Sequence, residues 1–201
     1  MKINACLRLV TFTVFFSMMM QTAFAAGFHY QLDLTAKLVN SPDKELTAIQ
    51  MSWIYDKELS AILMDGEDLS ETKRDATLKK RAADILSGLT EVKYFTTALL
   101  DKTPLTFDKV EKYSLRLNKE SRLQMNLTLP LNTPQTLQGS TLELIVTDDS
   151  AVGLATFIDT KHMLLGEQFS AICKQPELVQ QTLAEIDGHA QVTETMTIDC
   201  R

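Results

Sequence analysis

The chain has 201 residues, 45% of them hydrophobic, and a formal net charge of −6. That length suffices to bury one ordinary core. The acidic balance argues against nucleic acid or anionic membrane as a partner, mildly favours cations, and otherwise serves solubility.

The first segment reads as a targeting sequence. Lys2 and Arg8 form a basic start, residues 9–20 are apolar, and Ala23-Phe24-Ala25 supplies an A-x-A cleavage site. This predicts a secretory signal peptide over residues 1–25, cut after Ala25; the apolar run is too short to span a bilayer. Cys6 lies too early to form a lipobox. Residues 26–201 are then a single exported α+β domain, with a charge of about −8 because the leader holds two basic residues and no acid. No direct membrane insertion is expected after cleavage.

Residues 28–38 alternate. Phe28, Tyr30, Leu32, Leu34, Ala36 and Leu38 share one face of a first strand. Asn40-Ser41-Pro42-Asp43 is a turn, and residues 46–55 form a second strand with Ile49, Met51, Trp53 and Tyr55 inward. At Asp56 the period changes. Leu59, Ile62 and Leu63 recur at helical spacing, with Asp56 as N-cap. Asp65-Gly66-Glu67-Asp68 interrupts. A second helix is expected from about Ser70 to Leu86, capped by Ser70 and stopped by Gly88. Its mixed charges suit a solvated face better than a binding patch.

Residues 92–147 organise the rest. Val92, Tyr94, Thr96, Ala98 and Leu100 fall on one side of an extended chain. Leu115 and Leu117 follow, then Leu123 to Leu129 at every second position, then Leu142, Leu144 and Val146. The gaps hold turn residues, among them Asp101-Lys102-Thr103-Pro104 and Asn118-Lys119-Glu120-Ser121. The expected scaffold is an antiparallel β-sheet or sandwich-like core with two helices inserted after the second strand. Residues 152–158 are another apolar run, and residues 163–172 read as strand or loop. Pro176 is placed to open a helix through Ile186, ended by Gly188, before a final strand over residues 189–199. No repeat or domain linker is visible.

Only Cys173 and Cys200 follow the leader. In an oxidising compartment two cysteines most often pair, and no His lies at zinc-finger spacing to favour a metal instead. There is no G-x-S-x-G, P-loop or H-E-x-x-H, so no enzyme class is indicated. His29, His162 and His189 are widely separated in sequence.

Four stretches carry a resemblance. Residues 89–96 (LTEVKYFT) with Asp101-Lys102-Thr103-Pro104, Trp53-Ile54-Tyr55-Asp56 with Ser60, Leu127-Thr128-Leu129-Pro130-Leu131, and Val146-Thr147-Asp148 come in the order seen in the DUF1007 family of exported bacterial proteins. The resemblance extends to about Cys173 and leaves residues 174–201 as a helix–strand extension. It implies a periplasmic component of a transport system, often beside a nickel, cobalt or zinc permease. The protein is then expected to be a non-enzymatic accessory to metal uptake, with an inner-membrane permease as partner. The rival expectation is an envelope binding or structural module with no metal role.

The family's H-P-H start appears here as Gly27-Phe28-His29, so His29 and Asp33 match while the first His and the Pro are absent. The calcium-type loop implied between the helices has shrunk to Asp65-Gly66-Glu67-Asp68, without spaced ligands. Imidazole with carboxylate suits zinc and related ions, and a transfer protein needs few ligands so that it can release its cargo. The expected site is His29 with Asp33, Asp56 and Asp148, binding zinc or nickel weakly. Asp56 as a helix cap and Asp148 in a turn is the rival reading. Cleavage after Ala26 would instead leave Gly27-Phe28-His29 as a terminal chelate for Cu(II) or Ni(II).

Overall fold

The computed structural model describes residues 29–201. The expected signal peptide, its two alternative cleavage points and residues 27–28 lie outside the described residues. No helix among the described residues is long and apolar enough to cross a membrane.

The chain is α+β, with two sheets packed face to face. β1 (Tyr30–Asn40) and β2 (Leu46–Tyr55) form a hairpin in which Leu34 faces Trp53 and Ala36 faces Met51. α1 (Lys57–Met64) follows directly, then α2 (Arg74–Glu91). β3 (Thr96–Leu100), β4 (Thr103–Pro104), β5 (Tyr113–Leu117), β6 (Leu123–Gln135) and β7 (Thr141–Thr147) come next. β8 (Gly153–Thr156), β9 (Met163–Leu164), α3 (Gly166–Ser170), β10 (Glu177–Ile186) and β11 (His189–Asp199) complete the order.

One sheet runs β5-β6-β2-β1-β8, with β9 also pairing on β1; the other runs β10-β11-β7-β3-β4. The chain moves repeatedly from sheet to sheet. The core lies between them and includes Trp53, Phe157, Phe169, Leu34, Ile49, Met125 and Leu129, all fully buried. α2 adds Leu78, Ala82 and Leu89 to the same cluster and lies beside β5.

Five expectations need correction. Residues 177–186 are a strand, not a helix. Asp187 and Gly188 both have positive φ, 51° and 83°, and Ile186 pairs with His189 across them. Asp-Gly at a two-residue hairpin turn is what that geometry favours, and β11 offers an edge to pair with. Gly188 therefore turns a hairpin. Residues 174–201 are a hairpin bonded to β7 within the second sheet.

Gly88 does not end α2, which continues to Glu91. Burial of Leu89 outweighs the roughly 1 kcal/mol that an interior glycine costs. Ser70 does not cap it either; the residue before the helix is Lys73, with no side-chain cap.

The strand expected from Val92 starts only at Thr96. Lys93, Tyr94 and Phe95 all have positive φ, 50°, 56° and 47°, and make one tight turn. Tyr94 is buried there with its hydroxyl 3.2 Å from Thr90 Oγ1, while Val92 is exposed. Finally, the first sheet is mixed, since β8 and β9 run parallel to β1.

Candidate functional site

One end of the sandwich gathers the start of β1, the ends of β2 and β7, and the start of β11. Three of the four expected ligands, His29, Asp56 and Asp148, lie at this end, and Asp33 lies four residues beyond His29 along β1.

Asp56 is held twice. Its Oδ1 accepts from Leu59 N–H at 2.7 Å, capping α1, and its Oδ2 accepts from Gln31 N–H at 2.6 Å. The Asp56 N–H donates back to Gln31 O at 3.0 Å. The carboxylate joins the helix start to the first strand, the use Asp serves at an N-cap. Asp33 is paired with Arg122, whose Nη2 lies 2.7 Å from Asp33 Oδ2. That guanidinium also donates to the carbonyls of Tyr55 and Ile54.

Asp148 is buried and accepts four hydrogen bonds. Ser150 N–H and Oγ donate to Oδ1 at 2.9 and 2.6 Å; Tyr30 Oη and Gly153 N–H donate to Oδ2, both at 2.8 Å. Burial pushes the carboxyl up, but the bonds from Ser150, Tyr30 and Gly153 outweigh it and hold it below the ordinary carboxylate range. The same environment, burial first and then Asp148, drives the Tyr30 phenol well above its usual value. Gly153 makes the close fit possible: a Cβ there would lie 2.0 Å from Tyr30 Cε2.

His29 meets a partner that sequence spacing did not indicate. Its ring centroid lies 4.9 Å from that of His189, with the planes at 76°. The His29 N–H donates to Val152 O at 2.8 Å, which anchors the residue beside the β7–β8 loop. His189 Nδ1 is buried without a hydrogen-bond partner. Asp149 stands against Gln191, whose Nε2 donates to it at 3.4 Å, two positions along β11 from His189. A cleft of about 550 Å³ opens beside this end, lined by Tyr30, Glu91, Lys93, Phe95, Asp148 and Asp149.

The third histidine is elsewhere. His162 Nδ1 lies 2.8 Å from Asp159 Oδ1, and the Asp159 carboxyl is lowered chiefly by that contact. Among the described residues, no three His, Cys, Asp or Glu side chains gather closely enough to hold an ion together. The structure thus pairs His29 with His189 and gives Asp33, Asp56 and Asp148 internal partners.

Two further groups were not visible in the sequence. Glu194 on β11 is buried and reaches to the other sheet. Its Oε1 accepts from Thr156 Oγ1 at 2.6 Å and Gln180 Nε2 at 3.0 Å, and its Oε2 accepts from Phe157 N–H at 2.7 Å. A lone acid in a strand of unevenly patterned polar residues carries no periodic signal of burial. The His29–His189 contact was equally silent, because 160 residues of chain separate the two. The expected disulfide is present, joining Cys173 to Cys200.

No curated protein matches this chain. The model of a family described as "Protein of unknown function (DUF1007)" matches residues 12–191, a span that includes the paired histidines, the buried aspartate and most of both sheets. The chain belongs to the DUF1007 family.

Proposed function

We propose that this protein is a non-enzymatic periplasmic accessory of a divalent transition-metal uptake system, holding zinc or nickel weakly or docking to the permease that imports it. The observation that carries the reading is the His29–His189 pair. Two imidazoles bound to one ion at about 2.1 Å place their ring centroids roughly 5 Å apart. The observed 4.9 Å lies at that separation. His189 Nδ1, buried without a partner, has its bonding capacity unspent. Two protein ligands with water completing the shell suit a carrier that must release its cargo. The disulfide fits an oxidising compartment, which supports export.

The test is a zinc and nickel titration by calorimetry. His29→Ala and His189→Ala should each abolish saturable binding, whereas Asp33→Asn should leave it intact. Equal affinity in wild type and both histidine variants would refute the reading. The rival, an envelope binding module without a metal role, is favoured by one observation: all three expected carboxylates are consumed by internal hydrogen bonds. Capture of a membrane permease by the exported protein, and growth failure of a deletion strain under chelation, separate the two.

A further inference from the structure

The outer face of the first sheet carries a groove of about 490 Å³ that neither the histidine pair nor the core explains. Two rows of side chains cross it in register. Ser114, Asn126, Ser52 and Thr35 stand opposite one another across β5, β6, β2 and β1. Beside them run Thr128, Gln50 and Lys37 in the same order, with Leu164 of β9 next to Lys37. Lys112 extends this second row at the β5 edge, where its carbonyl accepts from Thr128 N–H at 3.0 Å.

A half-solvated antiparallel sheet ordinarily turns polar residues outward. The composition here is narrower than that. The polar side chains lining the groove are hydroxyls, amides and two lysines, with no carboxylate, in a chain with 26 acids against 20 bases. Among the described residues neither lysine has an ion-pair partner. They mark opposite ends of one row, three strand spacings or roughly 14 Å apart. Exposed Leu164 gives the groove an apolar flank beside Lys37.

The geometry points to a binding site for an acidic oligosaccharide lying across the strands, its carboxylates met by Lys37 and Lys112. Sugars present many weak donors and acceptors, which the neutral rows match one strand at a time. They also present apolar C–H faces, which the Leu164 flank can cover. The charge pattern selects an anionic chain, because two unpaired ammonium groups in an otherwise acidic protein attract carboxylate and repel cations. The length between the lysines requires an oligomer of about three sugars rather than a monosaccharide, given strands about 4.8 Å apart. This site is separate from the histidine end and does not depend on metal binding.

The test uses the exported protein with a tetramer of galacturonic acid as probe, followed by amide chemical shifts and calorimetry. Maltotetraose and inorganic phosphate are the neutral and simple-anion controls. Saturable binding of the uronate tetramer should appear, with shifts confined to β1, β2, β5 and β6. Lys37→Gln and Lys112→Gln should each weaken it by roughly fivefold or more, the loss expected for one charge-assisted contact. His29→Ala should leave it unchanged. The proposal is overturned if the tetramer does not bind, if phosphate or maltotetraose binds as well, or if the lysine variants bind like wild type. Both substitutions are at solvent-facing positions, and an unchanged far-ultraviolet spectrum separates lost binding from lost fold.

Discussion

Replacing Asp148 by Asn tests whether this carboxylate is a structural anchor and not a ligand. The four donors divide evenly, a hydroxyl and a backbone N–H on each oxygen. An Asn side chain offers one oxygen and one NH2. In either orientation the hydroxyl facing the NH2 can rotate and accept. The backbone N–H beside it, Gly153 or Ser150, cannot, and is left without an acceptor. One orphaned buried donor costs about 1–3 kcal/mol, and the remaining bonds lose their charge assistance. The expected loss is about 2–4 kcal/mol, read as a lower urea midpoint at unchanged slope. The pH dependence has a definite sign. The folded-state carboxyl is held below its unfolded value, so the folded protein binds fewer protons in that window and its stability rises with pH. The gap between wild type and Asp148→Asn should therefore be full above about pH 4 and close as pH falls through the folded-state pKa. Zinc affinity should not change. A destabilisation below about 0.5 kcal/mol, a gap that persists at low pH, or a large loss of zinc binding would each refute the assignment.

Other perturbations bear on the same frame. Replacing Cys173 and Cys200 by Ser opens a loop with a sequence separation of 27, and the chain-entropy account gives a loss of about 3–4 kcal/mol in thermal or urea unfolding. Glu194→Ala should cost about 2–4 kcal/mol, because Phe157 N–H and the Thr156 hydroxyl lose their buried acceptor and the sheets lose a tie between them. Gly153→Ala should force the Tyr30 ring off Asp148, cost about 1–2 kcal/mol, and return the Tyr30 phenol toward its ordinary titration near pH 10, read by ultraviolet absorbance.

Much of the fold could be read from local pattern, because local rules govern it. The alternation through Leu32, Leu34, Ala36 and Leu38 places one face of β1 inside, and the structure buries those residues. Asp56 announces the start of α1 three residues before the N–H it accepts from. The cysteine count pointed to one disulfide between Cys173 and Cys200, and it is there. In each case the cause lies within a few residues or in composition alone.

Tertiary structure decided the rest. Whether residues 177–186 coil or extend depended on β11, which supplies a partner strand that no local window contains. Tyr94 left the strand pattern because a buried pocket beside α2 was worth more than continued extension. Three expected ligands were spoken for by a serine, an arginine and backbone N–H groups whose proximity only folding creates. The same folding laid His189 against His29 from the far end of the chain and lined two lysines up across four strands. Sequence fixes which groups are available through short-range periodicity; pairing between distant segments, which depends on register and packing, determines which of them remain free to bind.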